Sequence, residues 1–421
     1  MRMGTTTAPA TAVSASVSAL RHPLQALGRW WVWPLSVFLA TRAIDAMMIL
    51  LASREQVAVT PEAVAAGYHS FAAGGADPGY FGLATNWDGQ WYWQIAEQGY
   101  PSRIETGPTG QVERNAWAFP PLFPLLTRAV MFMTGLDFPV AAVGIATLCS
   151  LGGVLLAFRV IEETAGRDAA RVTALLLCTS MAAASFQIAY TEGIALLFLT
   201  AAIQALRKER YLLAAFLLWG LGLSRHVVLP FLAVIAVHAM YQWNLRRLTS
   251  RRVRALTALA LSTLCAAFAW PVVAALVTGR LTALTDTQAA WRKSQDVGAF
   301  GLFSVAWRVG GMPWLLCAVG GAVVIVFAVL GPWARRWSPE VRAWALAYPL
   351  YVLAVAPAAL SLIRFWLLAF PLAWCFPAGL GRSRFRHGLV ATLVIAGLSA
   401  QWYWIRHFLV LGPVEAQFAM P

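Results

Sequence analysis

Charge is what this sequence has least of. Asp, Glu, Lys and Arg together make up 12% of its 421 residues, about half of the roughly 25% found in an ordinary soluble domain. Lysine is almost missing: Lys208 and Lys293 are the only two, so the positive charge is nearly all arginine. With 60% of the residues hydrophobic, no single soluble core could hide the apolar surface, and a soluble enzyme is excluded. Cysteine is also sparse. Cys149, Cys178, Cys265, Cys317 and Cys375 all fall inside apolar runs, where they read as unpaired small hydrophobes, which excludes a secreted disulfide scaffold. The six histidines are scattered without metal-ligand spacing. No Gly-rich phosphate loop, Walker lysine or paired-cysteine site is present, so neither a metal nor a cofactor is expected and a nucleotide-driven pump is disfavoured.

What the chain has instead is apolar runs of about 20 residues, the length a helix needs to cross a bilayer. The expected fold is an all-α polytopic membrane protein, and a β-barrel is excluded. Residues 1–28, rich in Thr, Ala and Ser, read as a disordered cytoplasmic tail without a cleavable signal. Residues 29–421 read as one membrane-embedded domain. Its spans are expected at 30–51, 138–160, 169–190, 192–207, 211–225, 227–244, 255–277, 313–334, 342–360, 363–380 and 388–410, about eleven in all. Residues 52–134 form a long first extracytoplasmic loop, ending in a Pro-rich apolar helix, 119–134, that is short for a span and is expected to be interfacial or re-entrant. No internal repeat is visible.

The net charge of +14 could suggest a nucleic-acid partner, but arginine retained in cytoplasmic loops explains it better. With the N-terminus inside, the cytoplasmic segments hold 20 of the 32 basic residues and five of the 18 acidic ones. No nucleic acid is therefore expected. The Ala/Arg/Gly/Trp bias points to a GC-rich, bacterial plasma-membrane setting, with membrane lipids as partners.

In the outer loop, Asn86-Trp87-Asp88 and the residues to Pro101 read as one short helix, capped by Asn86 and terminated at Gly99. Trp87, Trp91 and Ile95 repeat at four-residue spacing and give an apolar face able to lie on the membrane surface. Asp88, in the first turn, reads either as an acid complementing the helix dipole or as a general base among aromatic rings of the kind sugars stack on. Arg225 and Arg364 sit at outer span ends, where a guanidinium either binds phosphate or snorkels to headgroups. His226 adjoins Arg225. Glu192 reads as a helix N-terminal acid, or as a group orienting an acceptor or pairing with an arginine. Arg292 and Lys293 lie in an outer loop beside Trp291. Arg42 and Asp45, at i, i+3 in the first span, read as a mutual structural ion pair.

The stretch from Trp87-Asp88 through Ile95-Ala96-Glu97 to Gly99-Tyr100 resembles the first luminal loop of the PIG-V family, GPI mannosyltransferase 2, which belongs to the GT-C glycosyltransferases. The resemblance continues in order through Phe119-Pro120-Pro121-Leu122-Phe123-Pro124, Tyr190-Thr191-Glu192, Gly222-Leu223-Ser224-Arg225 and Ser361-Leu362-Ile363-Arg364-Phe365. It covers about residues 86–370. Asn86 stands where that family usually has a basic residue or His, and Pro121 departs from its aromatic-Pro pattern.

The resemblance implies a GT-C-like bundle that transfers a sugar, mannose above all, from a polyprenyl-phosphate-sugar donor to a lipid or glycan acceptor on the extracytoplasmic side, with inversion. It assigns Asp88 as the base. Arg225, Arg364 and His226 become candidates for the donor phosphate, and Trp87, Trp91, Tyr92, Glu192 and Arg292 for the acceptor or sugar. The rival from another class is a multi-spanning transporter or lipid or sugar flippase, in which ionisable residues would sit near the bilayer midplane.

Overall fold

The computed structural model of the chain describes residues 30–65, 71–108, 110–291, 301–355, 362–380 and 383–412. The N-terminal tail expected at 1–28 lies outside them. The described chain is helical, with only two isolated bridges, Val59 to Gly74 and Thr106 to Val112. Five helices are long and apolar enough to cross a membrane: Val32–Ser53, Phe138–Ala165, Ser250–Thr278, Gly311–Leu330 and Arg384–Leu409. Shorter apolar helices at Leu122–Thr134, Tyr211–Ser224 and Leu362–Trp374 accompany them. This is a polytopic helical membrane protein.

Two of the expected spans are broken rather than continuous. The run 169–190 is a helix at Arg167–Cys178 followed by a separate 3-10 turn at Ala183–Gln187. Such a break leaves carbonyls without partners where water is scarce. Arg42 from the first span supplies them, donating from Nη2 to the Cys178 carbonyl at 2.9 Å and from Nη1 to that of Ala183. Asp45 balances the charge at 2.7 Å from Arg42 and accepts from Gln401 at 3.0 Å. The pair is structural, and the broken helix is the reason an arginine lies there. The run 363–380 is broken too, into Leu362–Phe365, a 3-10 stretch Trp366–Trp374 and Cys375–Gly379, with Pro371 inside the middle piece. Trp344 and Tyr348 donate to the Leu368 and Phe365 carbonyls at 2.7 and 2.8 Å.

The interior is a contiguous apolar core that includes Phe158, Leu199, Ile203, Leu218, Phe231 and Trp344. Small residues let its helices approach closely, as membrane packing requires. A Cβ on Gly193 would collide with the Ser150 side chain and come within 2.8 Å of the Ala146 carbonyl. This close seam joins Phe138–Ala165 to Glu192–Arg207. Gly222 does the same against the Ala266 carbonyl. Each seam ends at a charged residue of interest, Glu192 on one and Arg225 on the other. The outward faces are apolar, with Phe216 at 70% and Leu276 at 78% exposure, an arrangement suited to lipid.

Loop ends segregate as well. Glu163, Arg207, Arg247, Arg335 and Glu340 share the lining of one cavity of about 820 Å³. Asp88, Glu192, Arg225 and Arg364 gather elsewhere, through the contacts described next.

Candidate active site

The short helix Asp88–Gln98 forms as expected and ends at Gly99, whose φ of 81° suits glycine. Its start differs from the expectation. Trp87, not Asn86, occupies the cap position, at φ 59° and ψ −113° and without a side-chain capping bond. A bulky residue in that region is strained, by an amount on the order of 1–3 kcal/mol, and persists only when its surroundings fix it. Trp87 packs between the cluster containing Ile49, Tyr190 and Leu409 and the one containing Val59 and Leu411. Asn86, 2% exposed, donates to Gln56 Oε1 at 2.6 Å and to the Leu409 carbonyl at 3.0 Å. The residue read as a helix cap is a tie between distant segments, and it fixes where Asp88 begins.

The apolar face also lies elsewhere than expected. Ile95 is fully buried and Tyr92 is 4% exposed, both in a cluster with Phe119, Phe123 and Ile194. The face packs inward on the 119–134 segment and on the helix after Glu192, so it is not available to lie on the membrane. Trp91 remains half-buried, stacked on Phe119 at 5.9 Å and edge-on to Trp291 at 5.3 Å.

Asp88 faces Arg364, with Oδ2 2.7 Å from Nη2. Arg364 reaches Glu192 Oε1 at 3.3 Å through Nη1, and Arg225 Nη1 meets the same oxygen at 2.7 Å. The result is a chain of two carboxylates and two guanidiniums, Asp88–Arg364–Glu192–Arg225, drawn from four separate segments. Glu192 is buried at 1% side-chain exposure and the arginines keep about a tenth. Asp88 keeps 27%, which leaves it the most accessible member. Aromatic faces back both guanidiniums: Arg364 lies 4.5 Å from the Tyr190 ring centre and Arg225 lies 4.7 Å from that of Phe365. Thr191 accepts from Arg225 at 3.1 Å and from the Tyr92 hydroxyl at 3.4 Å. Burial, reinforced by the nearby Asp88 charge, holds the Tyr190 phenol well above its ordinary range, so it stays neutral beside the network.

Loop 84–89 and loop 188–192 are pinned together, which is what sets the carboxylates near one another. The Ala189 amide donates to the Ala84 carbonyl at 2.9 Å, and the Tyr190 hydroxyl donates to that of Asn86 at 3.4 Å. Gly89 sits against Ala189, where a Cβ would touch its methyl at 3.4 Å.

Of the residues singled out in the sequence, Asp88, Arg364, Glu192 and Arg225 converge, and Tyr92 joins them through Thr191. His226 does not join them by its ring. Among the described residues its buried Nε2 has no hydrogen-bond partner, and its carbonyl accepts from Tyr351 at 3.0 Å. Arg292 and Lys293 lie outside the described residues. Thr191, Tyr190 and Phe365 were not assigned roles from sequence, although each stands inside a quoted motif beside a residue that was. Among the described residues, no group of three His, Cys, Asp or Glu side chains is placed to hold a metal ion.

No protein-family model matches the chain, and no curated protein matches it in sequence. Solved structures do. ArnT from Cupriavidus metallidurans bound to undecaprenyl phosphate aligns over 84% of this chain and 62% of its own, at 16% identity and a TM-score of 0.47. The archaeal oligosaccharyltransferase AglB from Archaeoglobus fulgidus, in complex with an inhibitory peptide and a dolichol-phosphate, aligns over 90% of this chain and 56% of its own, at 13% identity and a TM-score of 0.43. The chain thus spans about three fifths of the length of these proteins.

Proposed function

We propose that this protein is an inverting GT-C-type glycosyltransferase that takes a sugar, mannose by its resemblance to the PIG-V family, from a polyprenyl-phosphate donor to a lipid or glycan acceptor. The observation that carries the reading is the Asp88–Arg364–Glu192–Arg225 chain, a partly exposed carboxylate joined to two fixed guanidiniums. Glycosyl transfer from a phosphate donor needs this pairing. The acceptor hydroxyl attacks the anomeric carbon, its proton passes to Asp88, the bond from that carbon to the phosphate oxygen breaks, and the electron pair leaves with the phosphate. Arg364 and Arg225 receive the growing negative charge, which suits their planar, multiply donating heads. The charges stay matched as Asp88 is neutralised and the leaving phosphate gains one. Trp91, half-buried beside Trp291, is the candidate surface for a sugar ring.

Segregation of the loops supports an extracytoplasmic site. The Arg-rich segments expected inside meet around their own cavity, while Arg225 lies at the other end of the helix that Arg210 begins. The reaction class is tested by transfer of radiolabelled mannose from polyprenyl-phosphate-mannose to membrane lipid extracts, comparing wild type with Asp88→Asn. Loss of about 10² to 10⁴ in rate with a folded protein is expected. Equal incorporation in both refutes Asp88 as the base. Sugar or lipid flux without any transfer identifies a transporter instead.

A further inference from the structure

A second feature lies at the opposite end of Tyr211–Ser224, about 20 Å along the helix from Arg225 at 1.5 Å per residue. There residues of Tyr211–Ser224 and Ser250–Thr278 line a groove of about 1350 Å³. That is larger than the roughly 300–1,000 Å³ enclosing a drug-sized ligand. Its walls are apolar, including Leu212, Ala258 and Leu259, and Leu212 is 90% exposed. Its lining also carries Arg210, Arg247, Arg251 and Arg252 against one acid, Glu209. Arg252 is committed to Glu209 at 2.6 Å and to the Arg247 carbonyl at 2.7 Å. Arg210, Arg247 and Arg251 have no carboxylate partner among the described residues.

The helix ends sharpen the imbalance. Ser250–Thr278 has no acid in its first turn and carries Arg251 and Arg252 there, and Arg210 occupies the cap position of Tyr211–Ser224. Cations therefore stand at the positive ends of two helix dipoles, where only an anion is favourable. The walls, by contrast, run into the lipid-facing surface of a candidate span.

We propose that this groove holds an anionic phospholipid, its headgroup phosphate between Arg210, Arg247 and Arg251 and its chains along the Leu212–Leu259 wall. The inference is independent of the glycosyltransferase reading. Each arginine near an anionic lipid surface is worth a factor of about five, so the three favour an anionic over a zwitterionic lipid on the order of a hundredfold. The full chain in detergent would be titrated with phosphatidylglycerol, with phosphatidylcholine and with inorganic phosphate, and bound lipid read by native mass spectrometry. Phosphatidylglycerol should be retained on the order of a hundredfold better than phosphatidylcholine. The triple variant Arg210→Gln/Arg247→Gln/Arg251→Gln should lose that preference, and the matching triple Lys variant should keep most of it. Equal retention of the two lipids by wild type, an undiminished preference in the Gln variant, or inorganic phosphate bound as well as phosphatidylglycerol would each overturn the proposal.

Discussion

Glu192→Gln tests the network where it is most constrained. One oxygen of Glu192 faces Arg225 at 2.7 Å and Arg364 at 3.3 Å, and the side chain is 1% exposed. Removing one partner of a buried ion pair typically costs about 3–5 kcal/mol, because the remaining charge is left uncompensated. Two features pull this substitution toward the lower end. The amide oxygen can still accept from Arg225, and the amide nitrogen replaces Oε2, which has no hydrogen-bond partner among the described residues. The arginines also keep about a tenth of their side-chain exposure, so water recovers part of their solvation. A loss of about 3 kcal/mol is expected, read as the shift in equilibrium unfolding in mixed micelles followed by helicity. The cycle with Arg225→Met should show a coupling of about 1–3 kcal/mol, since the second change removes the cation that the first strands. A Glu192→Gln protein within about 0.5 kcal/mol of wild type, with additive double-mutant behaviour, would refute the ion-pair chain.

Two further outcomes follow from neighbouring residues. Gly193→Ala should cost about 1–3 kcal/mol by overpacking, because its Cβ meets Ser150 and the Ala146 carbonyl, and it should depress transfer by displacing Glu192. Gly144→Ala, whose added Cβ meets nothing in Phe138–Ala165, the helix that Gly193 packs against, should not destabilise in the same unfolding assay. Burial, helped by the adjacent Arg225 charge, holds the His226 imidazole down at about 4 from its ordinary 6.5. The unfolded chain then binds this proton first as pH falls, so His226 lets stability drop between about pH 6.5 and about pH 4. His226→Gln should flatten that part of the unfolding profile, and an unchanged slope would count against the buried neutral ring.

The class of fold is legible in the sequence because it rests on summed quantities, the scarcity of charge and the recurrence of long apolar runs, which no tertiary detail reverses. Helix continuity is less legible. Residues 169–190 are apolar enough to read as one span, yet the chain breaks after Cys178, and what stabilises the break is Arg42, more than a hundred residues away. The site shows the same division. Glu192, Arg225 and Arg364 stand out singly as costly charges at helix ends, and each can be named without knowing its partner. Their partnership cannot be read, because Asp88 to Arg364 is a contact across 276 positions and depends on loop 188–192 lying along loop 84–89. Asn86 shows the limit most directly. Local chemistry makes Asn before a helical run a capping residue, and nothing nearby contradicts it. The amide instead meets Gln56 and the Leu409 carbonyl, while the cap position passes to Trp87 in a backbone conformation that no local rule would choose. Local preference yields here because two buried hydrogen bonds, at about 0.5–1.5 kcal/mol each, together with the packing of Trp87, outweigh a cap worth about 1 kcal/mol. The same tie delivers Asp88 to Arg364.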